Sequence, residues 1–277
     1  MKIRLHRSAD EFRDIAEPLY RRDRVGNTIE LTLLRSNRFG DDALLVTMWD
    51  EGTPVGAALR TPPYPLACNG IPDNANGALA IELARIRPEL SGVRGSRETA
   101  MAFTEAWHAV TGRDWRVTTE ERLYRLGTLA PPAGVPGGHR DATEADNHVL
   151  VDWVEHFFVE TFSHQRDEAA GRRFVDNARA VGDRFVLWHD DGTPVSMAML
   201  RAPAAGVSRI GPVFTPRSSR GRGYGSAVTA AAAELGRRNG VEEVVLFADL
   251  ANPTSNSIYQ RIGFEAVTDS VRVDFTP

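Results

Sequence analysis

The most informative stretch of the sequence runs from Arg217 to Ser226 and reads RSSRGRGYGS. It follows a short apolar run, Ile210–Thr215, and leads into a predicted helix whose apolar face carries Val228, Ala231, Ala232 and Leu235. A glycine-rich turn before a helix is an anion site, because the backbone can approach the ligand and the helix dipole favours negative charge. Arg217, Arg220 and Arg222 add positive charge where phosphate groups would lie. The turn therefore predicts phosphate binding, with a tight turn under solvated arginines as the open alternative.

Other phosphate motifs fit this stretch poorly. It has no Gly-Lys-Ser/Thr, which excludes a P-loop, and the three-glycine Rossmann spacing is absent. The preceding run contains Pro212, which has no N–H to donate to a sheet. We therefore expect this strand to be locally splayed or to lie at a sheet edge.

A second informative segment lies between Val244 and Phe264. Val244–Ala248 is a short apolar run typical of a buried strand. Asn252 followed by Pro253 predicts a helix start, with asparagine as the cap and proline in the first turn. Tyr259 in this helix, taken alone, is best interpreted as an amphipathic core tyrosine.

Together these residues resemble the GNAT acetyltransferase superfamily. Its phosphate-binding signature, Arg/Gln-x-x-Gly-x-Gly/Ala, is matched by Arg220, Gly223 and Gly225. Its later signature, an Asn with a Tyr seven residues on and then Gly-Phe, is matched by Asn252, Tyr259, Gly263 and Phe264. The resemblance covers roughly the second half of the chain.

The resemblance implies an α/β fold (an α+β mixed sheet), in which each domain is a mixed, mostly antiparallel sheet flanked by helices. The strand at residues 213–215 would pair with the pantetheine arm of acetyl-CoA, and the turn would hold the pyrophosphate through N–H groups. Tyr259 and Asn252 are the expected catalytic residues, with Tyr259 near the thioester sulfur. The expected cofactor-binding residues are Val213, Phe214, Thr215, Arg220, Gly221, Arg222, Gly223, Tyr224, Gly225, Ser226, Asn252, Asn256 and Tyr259.

An internal repeat predicts two domains. The hexapeptide Asp50–Val55 (DEGTPV) recurs as Asp190–Val195 (DDGTPV), about half the chain length further on, and apolar runs flank both copies. Such turns between two apolar runs predict β-hairpins. We expect a first GNAT-like domain over residues 1–130, a Pro/Gly-rich linker over 131–138 and an acetyl-CoA-binding domain over 139–277. The first domain is expected to be degenerate, because Thr61–Asp73 lacks the signature and so provides no binding site for a pyrophosphate.

Composition limits the partners. The 277 residues are 42% hydrophobic and 25% charged, with a net charge of −4, and neither half is rich in basic residues. Nucleic acid is therefore not an expected ligand. The chain is expected to be cytoplasmic, without a membrane span or metal, and a monomer or homodimer. Cys68 is the only cysteine, so no intramolecular disulfide can form.

The expected activity is direct acetyl transfer from acetyl-CoA to a primary amine of unidentified structure. The Tyr259 hydroxyl can protonate the leaving thiolate, because a phenol keeps its proton at neutral pH. Backbone N–H groups at the splayed strand could polarise the thioester carbonyl. Asp249, Glu160 and His164 are candidates for the general base by position only, and a water chain is equally open. The alternative is a non-catalytic acyl-CoA-binding sensor or interaction protein.

Overall fold

The computed structural model describes residues 1–37, 39–162 and 165–276. The chain forms two compact units. The first contains residues 1–123, 248–251 and the segment from Val267 onward, and the second contains residues 124–247 and 252–266. Each unit has its own hydrophobic core.

The first ten elements run from the start of the chain to Leu126. Their helices are α1 (Ala9–Tyr20), α2 (Thr28–Ser36), α3 (Asn76–Ile86) and α4 (Arg97–Thr111). Their strands are β1 (Lys2–Leu5), β2 (Leu44–Asp50), β3 (Thr53–Arg60), β4 (Leu66–Ala67), β5 (Gly92–Ser96) and β6 (Trp115–Leu126). Ser8 caps α1 by accepting from the Glu11 amide at 3.2 Å. The Glu11 carboxylate lies 3.2 Å from His6 Nδ1.

The next ten elements repeat the same order. Their helices are α5 (Asn147–Phe162), α6 (Glu168–Ala180), α7 (Tyr224–Arg238) and α8 (Pro253–Arg261). Their strands are β7 (Gly138–Asp141), β8 (Arg184–Asp190), β9 (Thr193–Leu200), β10 (Val207–Phe214), β11 (Glu243–Asp249) and β12 (Phe264–Phe275). In both sets a strand and two helices precede a hairpin, and a parallel strand–helix–strand unit follows it. This order confirms the mixed, helix-flanked sheet predicted for each half.

The two repeated hexapeptides form the predicted hairpins. Each turn has two residues with positive φ, at 45° and 86° in Glu51–Gly52 and at 47° and 73° in Asp191–Gly192. This conformation suits the right-handed twist of the paired strands. Both hairpins also carry a register shift at the same place, between Met48 and Trp49 and between Trp188 and His189. The duplication therefore extends beyond sequence identity to an irregularity in strand pairing.

The C-terminal strand belongs mainly to the first unit. β12 runs antiparallel to β5, with Val271 opposite Gly95 and Val273 opposite Val93. Val271, Val273 and Phe275 alternate inward and are buried in the core of that unit. The predicted second domain, residues 139–277, includes β12, whereas the segment from Val267 onward belongs to the first unit.

The segment predicted to be a linker, residues 131–138, has no helix or strand until Gly138, where β7 begins. Just before this segment, the amides of Gly127 and Ala130 donate to the carbonyls of Gly263 and Ile262 within the second unit. The carbonyl of Pro136 accepts from the Trp188 indole at 2.8 Å. The segment is thus packed rather than free.

The core of the second unit lies between its sheet and the pair α5 and α6. Leu187, Met197 and Phe214 contribute from the strands, and Leu150 and Val154 from α5. Aromatic side chains of α5 pack in this core at Trp153, Phe157 and Phe158. This core fixes the end of β10 against α5, which positions the site described next.

Candidate functional site

β10 loses its pairing with β11 halfway along its length. In the part of the chain that the structure describes, the parallel register runs from Val207 opposite Glu243 to Ile210 opposite Leu246. On the other side, the pairing with β9 shifts between Ile210 and Val213. Gly211 has φ 146° and the Gly211–Pro212 peptide is cis. The predicted splay is confirmed, whereas the edge alternative is wrong because β10 lies between β9 and β11.

The three strand residues expected to contact the pantetheine arm differ in availability. The Phe214 ring is buried between Trp153 and His156, whose ring centroids lie 6.1 and 6.0 Å away. The Phe214 carbonyl accepts a hydrogen bond from Ser196 Oγ at 3.1 Å, and Thr215 Oγ1 lies 2.8 Å from the same hydroxyl. Val213 is half-buried. Phe214 can therefore contribute to a ligand site mainly by anchoring the strand.

The glycine turn ends at the N-terminus of α7. Gly221 and Gly223 have φ of 79° and 83°, a conformation that favours glycine. The first intrahelical bond runs from the Ala227 amide to the Gly223 carbonyl at 3.0 Å. The amides of Tyr224, Gly225 and Ser226 precede it and have no acceptor within the helix. They present three N–H groups and the positive end of the helix dipole, as pyrophosphate binding requires.

Two of the three arginines of the turn are held by one carboxylate. Arg220 Nη2 lies 2.5 Å from Glu160 Oε2, and Arg217 Nε lies 3.2 Å from Glu160 Oε1. Arg220 Nε also donates to the Thr215 carbonyl at 2.8 Å. Burial raises the pKa of Glu160, but the hydrogen bonds and charges of Arg220 and Arg217 outweigh it and hold that pKa below its ordinary value. Glu160 therefore stays ionised and is a poor general base.

The Tyr224 side chain does not line an open site. It is 1% exposed, and its hydroxyl donates to the Asp190 carboxylate. That hydrogen bond and burial raise the pKa of Tyr224, against a lowering effect of Arg222. Any role of Tyr224 in ligand binding thus depends on its backbone N–H.

Asn252 caps α8, as its sequence predicts. Its side-chain oxygen accepts from the Ser255 amide at 3.0 Å, and its carbonyl accepts from the Asn256 side-chain amide at 2.8 Å. Asn256 Oδ1 in turn accepts from the Tyr124 hydroxyl at 2.8 Å. These bonds give both asparagines a structural role at the start of the helix, and the expected catalytic role of Asn252 stays a prediction.

The Tyr259 hydroxyl, in contrast, makes no hydrogen bond to any residue that the structure describes. Its ring is half-buried and meets the Phe264 ring edge to face, with centroids 6.3 Å apart. Burial raises the pKa of Tyr259 to about 12. The phenol therefore keeps its proton at neutral pH and has it available for donation.

The turn and α8 lie at the same end of the sheet, the end formed by the carboxyl ends of two neighbouring strands. β10 and β11 are parallel neighbours. The turn follows the carboxyl end of β10, and α8 follows the carboxyl end of β11. Ligands of α/β proteins bind at this edge, where adjacent strands diverge. The two sequence signatures therefore follow the same ends of two neighbouring strands, although a helix and a strand separate them in sequence.

The other residues predicted as candidates for the general base are Asp249 and His164. Asp249 accepts from the Ala251 amide at 2.8 Å, which closes a local turn. His164 lies outside the described residues. The sequence reasoning missed His156, which stacks on Phe214 with an interplanar angle of 11°. Asp152, His156 and Glu160 recur every four residues and so share one face of α5, a pattern that could have revealed it.

The corresponding place in the first unit is closed. β4 and β5 stay bonded, since the Cys68 amide donates to the Arg94 carbonyl at 3.0 Å. Asn69 Oδ1 accepts from the Ser96 amide at 2.6 Å, and its Nδ2 donates to the Gly26 carbonyl at 2.9 Å. Burial raises the pKa of the Cys68 thiol, which removes it as a thiolate nucleophile. Side chains of the first unit thus occupy the place between β4 and β5 that corresponds to the gap between β10 and β11 in the second unit.

Comparison with known proteins gives the class of this fold and site. Residues 147–264 match the model of the Acetyltransferase (GNAT) family. A mycothiol acetyltransferase of Beutenbergia cavernae is 29% identical over 167 residues, which are 52% of this chain and 55% of the relative. The chain thus aligns with about half the length of that curated relative.

Solved structures match almost the whole chain. A tandem GNAT protein from the clavulanic acid biosynthesis pathway has a TM-score of 0.61 at 15% identity, with 99% of this chain and 98% of that chain covered. A GNAT-family acetyltransferase from Colwellia psychrerythraea has a TM-score of 0.64 at 11% identity, with 99% of each chain covered. These similarities show the fold. Residues 147–264 thus match a GNAT domain, and the chain as a whole has the fold of a tandem GNAT protein.

None of the helices among the described residues is long and apolar enough to cross a bilayer.

Proposed function

We propose that the second unit binds acetyl-CoA and transfers its acetyl group directly to a primary amine. The observation that carries this proposal is that a glycine turn with positive φ precedes α7 and follows β10, whose pairing with β11 is interrupted. The turn offers N–H donors for a pyrophosphate, and the strand has unpaired backbone for the amide groups of a pantetheine arm. The matched family model over residues 147–264 supports the same assignment.

Tyr259 is the proposed general acid. Acetyl transfer breaks a C–S bond, and the departing thiolate needs a proton. The Tyr259 hydroxyl is protonated, half-buried and without a hydrogen bond to a described residue, which supports this role. Its location in α8, after the carboxyl end of β11, supports a place near the thioester.

Acetyl-CoA binding and turnover test this proposal together. Calorimetry should give one molecule bound per chain, since the place corresponding to the site in the first unit is filled by Asn69 and Cys68. Thiol release should then appear with at least one member of a panel of primary amines. The panel should include deacetylated mycothiol, because one relative is a mycothiol acetyltransferase.

Two results would contradict this function. Saturable binding without thiol release from any amine would favour the non-catalytic acyl-CoA sensor. A stoichiometry of two would mean that the first unit binds the ligand despite its closed strand pair.

A further inference from the structure

The proposed reaction needs a group that takes a proton from the amine, and the candidates from sequence do not supply one. The Glu160 carboxylate is bound to two arginines. Asp249 is engaged in a local turn, and His164 lies outside the described residues. This need for a general base rests on the proposed function.

His156 lies directly against the end of the interrupted strand. It projects from α5 and stacks on Phe214, the last residue of β10, with ring centroids 6.0 Å apart and planes 11° apart. Phe214 is buried, so this contact fixes the imidazole beside the strand that would present the thioester. The side chain of His156 is 41% exposed, which leaves it accessible to a second substrate.

Two charged groups contact the same imidazole nitrogen of His156. His156 Nε2 lies 3.6 Å from Asp152 Oδ1 and 3.5 Å from Arg166 Nη1. Asp152 is itself held by Arg166 Nη2 at 2.8 Å, and Arg166 also binds Glu155. The Asp152 carboxylate favours a proton on Nε2, whereas the Arg166 guanidinium can only donate to that nitrogen. Nδ1 makes no hydrogen bond to a described residue, so its lone pair is available in the tautomer that is protonated on Nε2.

Other charges near this place come from the glycine turn. The Arg220 guanidinium lies 5.9 Å from the centre of the Phe214 ring, and it is neutralised by Glu160, one helical turn beyond His156. The face of α5 next to β10 thus presents an imidazole between two carboxylates that are each paired with arginine.

We propose that His156 is the general base for the acceptor amine. Its Nδ1 accepts a proton from the ammonium and passes it to solvent, leaving a neutral amine. The amine lone pair forms the C–N bond to the thioester carbon, and the C–S bond breaks as the tetrahedral oxyanion collapses. The thiolate takes the Tyr259 proton, and the second proton of the nitrogen returns to the Tyr259 phenolate through solvent.

The test compares His156→Phe with His148→Phe. Phenylalanine keeps a flat ring to stack on Phe214 but cannot accept a proton. His148 lies in the first turn of the same helix, is exposed and contacts only the Ala145 carbonyl among described residues, so it is a matched control. For a strongly basic amine, His156→Phe should lower kcat/KM by roughly 10²-fold or more. For a weakly basic amine that is already neutral at the assay pH, the loss should be much smaller.

Binding and wild-type turnover separate the possible failures. The Kd for acetyl-CoA should be unchanged in both variants, because the phosphates are held by the glycine turn. Wild-type kcat/KM for a strongly basic amine in His156→Phe would overturn the inference and reduce the imidazole to packing. Equal losses for both amine classes would also overturn it. If the wild-type protein acetylates no amine at all, the proposed function fails and the inference fails with it.

Discussion

Glu160 Oε2 lies 2.5 Å from Arg220 Nη2, so a carboxylate of α5 binds an arginine of the glycine turn. The same carboxylate reaches Arg217 at 3.2 Å. The two cations best placed to bind phosphate are therefore already paired within the protein. An incoming pyrophosphate must share or replace this partner, which makes the pair a control point of ligand affinity.

Glu160→Gln should tighten acetyl-CoA binding. The substitution removes a negative charge that competes with phosphate for Arg220 and Arg217. Because both arginines are largely exposed, the gain should be small, about two- to fivefold in Kd at low salt, and it should shrink at high salt. Calorimetry at two salt concentrations measures it. Glu234→Gln is the control, since Glu234 forms an exposed pair with Arg238 in the last turns of α7; weaker binding by Glu160→Gln alone would mean that Glu160 positions the arginines.

Tyr259→Phe should affect turnover far more than binding. It removes the hydroxyl but keeps the ring that packs on Phe264. Loss of a general acid should lower kcat by roughly 10²–10⁴-fold, with little change in the Michaelis constant for acetyl-CoA. Tyr64→Phe is the control, since Tyr64 is 65% exposed and lies in the first unit.

The pKa of Tyr259 adds a pH prediction. Burial raises this pKa from 10.0 to about 12, and the acid is active only below it. The wild-type enzyme should therefore show no alkaline loss of activity from Tyr259 until the pH approaches that value. A near-normal kcat for the phenylalanine variant, where chemistry limits the rate, would return Tyr259 to a packing role.

Gly221→Ala should weaken acetyl-CoA binding without a matching loss of stability. Gly221 has φ 79° and Gly240 has φ 75°, and a Cβ at either would meet no atom within 4 Å. Gly240→Ala, beyond the end of α7, therefore carries the same backbone strain, about 1 kcal/mol in each variant, far from the turn. Thermal unfolding should give equal losses, whereas calorimetry should show weaker binding only for Gly221→Ala. Equal affinities would place the phosphates elsewhere.

A substitution at Gly223 would have two effects at once. Its φ is 83°, and a Cβ there would lie 2.9 Å from Val135 Cγ2. A loss of binding in a Gly223 variant could thus follow from a displaced Val135 rather than from blocked backbone.

Asp146 should make the second unit acid-sensitive. It accepts bidentate bonds from Arg140 at 2.8 Å each and caps its own turn through the Thr143 amide at 2.7 Å. The Arg140 hydrogen bonds, opposed by burial, and the Thr143 bonds lower the pKa of Asp146 below its ordinary value. A depressed carboxyl pKa stabilises the fold above the unfolded-state pKa of about 3.9, and that stability is lost as the pH falls towards the folded-state pKa.

Asp146→Asn should therefore cost about 1–3 kcal/mol at neutral pH and progressively less below pH of about 4. Urea unfolding over a pH series measures this difference. Glu168→Gln, in an exposed pair with Arg172, should change stability by less than about 0.5 kcal/mol at any pH. A pH-independent effect of Asp146→Asn would show that the shape of the turn matters, rather than the charge.

Local chemistry in the sequence determined the elements of this protein. The hairpins follow from two-residue turns in which both residues have positive φ, and α8 begins at Pro253 because the preceding Asn252 side chain caps it. The break in β10 follows from Gly211 and Pro212, since proline has no N–H for the ladder. These effects act over a few residues, so sequence alone was sufficient to predict them.

Contacts between distant residues were decided only by the tertiary structure. Alternation in β12 predicts one buried face, but packing alone decides that Val273 lies opposite Val93. Charge alone predicts that Arg220 can bind phosphate, but not that Glu160, 60 residues earlier, already holds it. His156 is one helical residue among many in sequence, and it becomes a site residue because the core presses it on Phe214. Sequence fixes what each side chain can do, whereas the packing of the core fixes which partner it meets.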